Sequence, residues 1–231
     1  MAQSENSARE RILARIRDGL RVPVRMPPSP SDARPQVFEP IRDPLERFQR
    51  ECAENNTECI VAQDAKQAVE AVDRVLESLP PGEVFVQDAP YMRRFAQRWQ
   101  QSRSIRWSND GVPAESSQAT ITLAECLVAQ TGSVFVSAEC GGRGASVVAP
   151  VHVVVATVAQ LVPDLEAAFT RLRERGTASR NSFVCLITGC SRTGDIEKTL
   201  VLGAHGPRRL VAVLALQSMT EDAGGSTKAQ R

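Results

Sequence analysis

Aromatic side chains are scarce here, at 4% of 231 residues, with a single tyrosine. A core must therefore rest on Val, Leu, Ile and Ala, which the 42% hydrophobic content supplies. Neither sign of charge predominates: 28 basic against 27 acidic residues leave a net charge of +1. Without a one-sign field, neither nucleic acid nor an anionic membrane surface is an expected partner. Long apolar runs are missing too. Val147 to Val162 comes nearest to the ~20 residues that span a bilayer, but Pro150 and His152 interrupt it. The opening MAQSENSARERILARIRDGL is charged and lacks the apolar core and small-residue cleavage site of a secretory signal. The expectation is a cytoplasmic protein with no membrane span.

The six cysteines, Cys52, Cys59, Cys126, Cys140, Cys185 and Cys190, never fall in CxxC spacing. That excludes a compact zinc or iron–sulfur ligand set, so no metal and no cofactor is expected in this chain. A long intracellular chain also argues against a disulfide framework. Cys185 lies in an apolar run and reads as a core residue. Cys140 and Cys190 adjoin glycines and read as exposed, reactive thiols.

Ile12, Leu13, Ile16 and Leu20 recur at helical spacing, so Ser7 to Leu20 fits an amphipathic helix. Seven of the 14 prolines fall between Pro23 and Pro44 and mark an extended linker. Residues 1–42 are therefore an arm, expected to pack on the body or on a second copy, with homo-oligomerisation as one outcome. The body, 43–217, alternates helices at 45–56, 64–79 and 90–100 with strands at 57–62, 83–87 and 104–107. This rhythm predicts an α/β fold, a mostly parallel sheet flanked by helices. Strands follow at 119–123, 133–137, 145–148, 152–157, 182–188 and 210–216, with a helical turn at 124–129 and a helix at 163–175. Residues 218–231 form a polar tail.

Glycine-rich connections carry the functional signal. In open parallel sheets, ligands gather outside the carboxyl ends of strands. The stretch GCSRTGDIEKTLVLGAHGP, Gly189 to Pro207, lies between two apolar runs. Ser191 or Thr193 can cap a helix from Gly194 to Leu202, whose free N–H groups, with Arg192, would cradle a phosphate or carboxylate. Asp195 and Glu197 oppose that, since both can complement the helix dipole themselves. His205, flanked by Gly203 and Gly206, can serve as an acid/base or anion donor, or cap the preceding helix. His152 heads an apolar strand and reads as structural. Gly141-Gly142-Arg143-Gly144 suits a mobile flap or hairpin tip as well as an anion clamp. Neither GxxxxGK[ST] nor GxGxxG after a strand is present.

Thr131-Gly132, Ser191-Arg192-Thr193-Gly194-Asp195-Ile196-Glu197 and His205-Gly206-Pro207 occur in the order that recurs in the lactate-utilisation domain family, which residues 43–217 resemble. The helical arm resembles that of the family's stand-alone C subunit. The resemblance implies a sugar-phosphate isomerase and CoA-transferase-like fold. It also implies a part in oxidising L-lactate to pyruvate beside two iron–sulfur partner subunits, which would hold the clusters. Gln130 stands where relatives often carry an acid, so it lends no support to a glutamate nucleophile. Cys190 replaces a common proline. The ligand-binding candidates are Thr131, Gly132, Gly189, Ser191, Arg192, Thr193, Asp195, His205 and Gly206, with His205 the candidate acid/base and a small anionic metabolite the expected ligand. The alternatives are an independent enzyme acting on a phosphorylated or CoA-linked metabolite, and a carboxylate-sensing regulatory domain.

Overall fold

A computed structural model describes residues 2–23, 38–111, 114–194, 200–202 and 206–217. The chain divides into two units, Met1–Glu39 and Pro40–Arg231. The first carries helix α1 (Ala2–Arg21), the helix its apolar spacing predicts.

The second unit opens with α2 (Pro44–Glu54), where Asp43 caps the helix through Glu46 N at 3.0 Å and Pro44 supplies a preset φ. Then come β1 (Thr57–Ala62), α3 (Ala65–Glu77), β2 (Glu83–Val86), α4 (Pro90–Trp99) and β3 (Ser104–Trp107). Asp64 caps α3 through Gln67 N at 2.8 Å. Arg103 closes its far end by donating to the carbonyls of Leu76, Leu79 and Pro80. The chain continues through β4 (Ala119–Leu123), β5 (Cys126–Val128), β6 (Ser133–Ser137), β7 (Val151–Thr157) and β8 (Leu161–Val162). It ends with α5 (Leu165–Glu174), α6 (Thr177–Arg180), β9 (Val184–Ile187), β10 (Arg192–Gly194), β11 (Leu200–Leu202) and β12 (Arg209–Ala215).

Six strands form a wholly parallel sheet in the order β1-β12-β7-β4-β2-β3. Four more form a smaller sheet, β8-β5-β6-β9, in which β6 runs antiparallel to both neighbours. One face of the large sheet packs Val84, Val86, Ile121, Val153 and Val211 against Val72 and Leu76 of α3 and Met92 and Trp99 of α4. The opposite face packs Val154, Leu210 and Leu214 against Leu127, Val134 and Val136 of the small sheet, with Phe48 and Cys52 of α2 at its margin. The far side of the small sheet carries α5 through Ala168 and Leu172 on Phe135 and Val128. The layers thus run helix, parallel sheet, small sheet, helix, each apolar face finding a partner. No helix among the described residues is long and apolar enough to cross a membrane.

Three expected elements differ. The helical turn at 124–129 is strand β5, because Cys126 and Leu127 must face opposite sides of the small sheet. A short apolar run fits either element by periodicity, and here the packing decides. The expected strand at 145–148 is a series of turns, with Val147 N and Val148 N both donating to Gly144 O at 3.0 Å. The expected helix from Gly194 to Leu202 gives way to strand at both ends, with 195–199 outside the described residues. Arg192–Gly194 pairs antiparallel with Leu200–Leu202, as suits a stretch with a glycine and several β-branched residues.

Candidate functional site

Two glycines bring separate segments onto one helix end. Gly132 adopts φ +61°, and a Cβ there would lie 2.7 Å from Cys52 N. Gly189 adopts φ +78°, and a Cβ there would run into the Asn55 carbonyl. Only glycine permits either approach, so both backbones lie flush against the C-terminal end of α2. Asn55 Nδ2 donates to Thr131 O at 3.0 Å, and Cys52 Sγ donates to Gly132 O at 3.8 Å. Arg47, paired with Glu51 at 2.9 Å, reaches Gln130 O at 3.4 Å.

Beside this junction a cleft of about 450 Å³ opens between Asn55, Ser146-Val147, the run Cys185 to Ser191, and Gly206-Pro207. It lies at the amino edge of the parallel sheet: Asn55 precedes β1, and Arg208, just before β12, donates to Pro150 O, just before β7, at 2.8 Å. The carboxyl edge expected from the strand-loop pattern is therefore wrong for this loop. The strand that delivers Gly189, β9, belongs to the small sheet, so its end does not coincide with the carboxyl ends of the parallel strands. Gly194 ends strand β10, and residues 195–199, which would carry the expected cradle of N–H groups, lie outside the described residues.

Thr188 instead brings the end of a hydroxyl chain to the cleft wall. Thr131 Oγ1 and Ser133 Oγ are 2.7 Å apart, and Ser133 Oγ and Thr188 Oγ1 are again 2.7 Å apart. Ser133 is wholly buried, whereas Thr188 is exposed at the cleft. Such a chain polarises along its length and strengthens each bond. Ser146, 6% exposed, also lines the cleft, and its hydroxyl has no protein partner. An unsatisfied buried hydroxyl costs about 1–3 kcal/mol. Val147, Leu186, Ile187 and Pro207 supply apolar wall. Ser191 N donates to Pro207 O at 2.9 Å, and Gly206 packs so closely on Ser191 that a Cβ there would lie 3.0 Å from the Ser191 Cβ.

The structure thus brings Thr131, Gly132, Gly189, Ser191 and Gly206 together. Arg192 and Thr193 lie in β10, with side chains outside the described residues, as are Asp195 and His205 entirely. Asn55, Ser133, Ser146 and Thr188 were not foreseen. Ser133 and Thr188 directly adjoin candidate residues, so their hydroxyls were the available signal; nothing in the sequence joins Asn55 or Ser146 to the loop.

The thiols differ from expectation. Cys140 and Cys190 are buried, at 5% and 8% exposure, and burial pushes the Cys140 thiol up to about 11. Cys185 is only half-buried, and burial raises its pKa too. Cys52 and Cys59 are within hydrogen-bonding reach, which raises the pKa of Cys52 and lowers that of Cys59. Gly141 to Gly144 is no free flap. Gln87 Nε2 pins Glu139 O at 3.0 Å while Gln87 Oε1 accepts from Leu123 N at 2.7 Å, and Gly141 abuts Phe85 and Ala145. Arg143 donates to Ser182 O at 3.3 Å. His152 is structural, as its strand setting implies: it is fully buried, with Nε2 2.8 Å from Thr122 Oγ1. A smaller hollow of about 230 Å³ between β1 and α3 holds none of the motif residues. Among the described residues, no three His, Cys, Asp or Glu side chains converge to hold a metal ion.

Comparison with known proteins agrees with this architecture. Lactate utilization protein C of Macrococcus caseolyticus is 32% identical over 97 residues, 41% of this chain and 42% of that protein. Lactate utilization protein C of Bacillus subtilis is 23% identical over 181 residues, 71% of this chain and 74% of that protein. The chain spans about half the length of several curated relatives that it matches. A crystal structure of a DUF162 family protein from Deinococcus radiodurans superposes with a TM-score of 0.56 at 15% identity, covering 74% of this chain and 96% of that one, and so shares the fold. The LUD domain profile matches residues 45–215, the whole layered body from α2 through β12, and the chain belongs to the LUD domain family.

Proposed function

We propose that this chain serves lactate utilisation as a cytoplasmic subunit that binds a small hydroxy- or keto-acid in the amino-edge cleft. Iron–sulfur partner proteins would hold the clusters and carry the electrons of lactate oxidation. The observation that carries this reading is convergence. Thr131-Gly132, Ser191 and Gly206-Pro207 belong to the three segments that resemble the lactate-utilisation family, and with Gly189 they gather near the end of α2 beside one cleft. Relatives in Macrococcus, Bacillus and Geobacillus bear the name lactate utilization protein C, which supports the same role here.

Deleting the gene in its native cell tests the reading. Growth on L-lactate as sole carbon source should fail, growth on pyruvate should persist, and the intact chain should restore growth. Unimpaired growth of the deletion strain on lactate refutes the role. Affinity purification from lactate-grown cells should also recover cysteine-rich iron–sulfur proteins.

A further inference from the structure

We propose that Thr188 and Ser146 are the recognition pair of the cleft, two neutral hydroxyls that hold the oxygens of a small hydroxy- or keto-monocarboxylate in preference to a phosphate. The inference rests on the lactate-utilisation reading for its choice of acid, and on the hydroxyl network for the rest.

The hydroxyl network can run in either direction, and a ligand at its exposed end sets which. Ser133 has one proton and two neighbours, Thr131 Oγ1 and Thr188 Oγ1, each at 2.7 Å. The alternative acceptor, Thr131 O, lies 3.4 Å from Ser133 Oγ and already accepts from Asn55 Nδ2 at 3.0 Å. Ser133 can give its proton to either hydroxyl, and a ligand oxygen at the cleft selects the order in which Thr131 donates to Ser133 and Ser133 to Thr188. Thr188, accepting from Ser133, is left with its own proton to donate, and it stands exposed at the cleft. A carboxylate or carbonyl oxygen is the matching group. Ser146 lines the same cleft with a hydroxyl that no protein atom satisfies. That oxygen is itself buried in the cleft wall, so meeting a second ligand oxygen requires it to turn about the Cα–Cβ bond.

The remaining walls select the ligand's body. Among the described lining residues none is charged, and Val147, Leu186, Ile187 and Pro207 present carbon. A phosphate calls for several cationic or backbone donors. A three-carbon acid offers one carboxylate, one further oxygen and a methyl group, which matches two hydroxyls and an apolar wall.

The test is calorimetric or NMR titration of the purified full chain with L-lactate, pyruvate and inorganic phosphate. The parent should bind lactate or pyruvate at millimolar concentration and phosphate at least tenfold more weakly. Thr188→Val should weaken acid binding about tenfold, and Thr188→Ser should restore it. Ser146→Ala should weaken binding while leaving the melting temperature equal to the parent's or higher, because it removes a buried unpaired hydroxyl. A merely structural serine predicts the reverse, a lower melting temperature with binding intact. Parent-like acid binding by both Thr188→Val and Ser146→Ala, phosphate binding as tight as lactate, or no acid binding by the parent overturns the pair. If the variants lose acid binding but the deletion strain grows on lactate, the pair stands and the lactate role falls. If the strain fails on lactate but the variants bind normally, the role stands and the pair falls.

Discussion

Acid should unfold this protein through His152, and the size of the effect follows from where the ring sits. His152 lies in the central strand β7, level with Thr120 on one side and Leu210 on the other, between the two sheets. Its ring is fully buried; Nε2 meets Thr122 Oγ1 at 2.8 Å and Nδ1 has no partner. Burial disfavours the charged ring and lowers its pKa from 6.5 to about 4. The unfolded chain therefore takes up the proton first as pH falls. The ring's contribution is complete above pH 6.5 and drains away between 6.5 and about 4. At about 1.4 kcal/mol per pH unit, that gap amounts to roughly 3 kcal/mol. Urea denaturation of the parent and of a Thr122→Val/His152→Leu double variant, from pH 7.5 to 4, isolates it. The double variant replaces a hydrogen-bonded pair by two apolar groups, so it should fold. The stability difference between the two proteins should shift by roughly 3 kcal/mol across the range, in the variant's favour as pH falls. Asp88 and Glu83, whose pKa values are lowered by Arg93 and Arg106, titrate alike in both proteins and cancel. Parallel pH profiles would show that the ring does not titrate against the fold.

Gly189→Ala forces an L side chain into φ +78° and its Cβ against the Asn55 carbonyl. The backbone conformation alone costs about 1–3 kcal/mol, so thermal melting should shift down by several degrees, and an unchanged transition refutes the packing role. Iodoacetamide at pH 7.5, read by peptide mass spectrometry, should label half-buried Cys59 well before buried Cys140, whose thiol burial pushes up to about 11. The opposite order would mean that neither burial nor the neighbouring Cys52 sets the reactivity of these thiols.

The parallel sheet was legible because its strands are short apolar runs bounded by helix caps and prolines. Asp64 and Pro90 each mark a helix start that the structure keeps. The edge of the sheet was not legible. Val184 to Ile187 is as apolar a run as Val211 to Leu214, yet the first joins the small sheet and is half-buried to exposed, while the second joins the large sheet and is buried. An apolar run records neither its depth of burial nor which sheet it joins. Gly132 and Gly189 were visible as glycines, but the obstacle each avoids is α2, far away along the chain, so their shared purpose appears only in three dimensions. The hairpin of β10 and β11 failed as a helix for a local reason, since Gly194 and β-branched Thr193 and Val201 all favour extended pairing.

The strand order also sets a timetable. β12, the last described strand, inserts between β1 and β7, and β1 has no other neighbour among the described strands. During synthesis β1 leaves the ribosome early and then waits for roughly 150 residues before β12 exists to pair with it. At about 5–20 residues per second that is on the order of 10–30 s. β7 emerges between the two, after Val151, and from then until Arg209 it too has an open flank, so the nascent chain displays two sticky backbone edges that a single late strand seals at once.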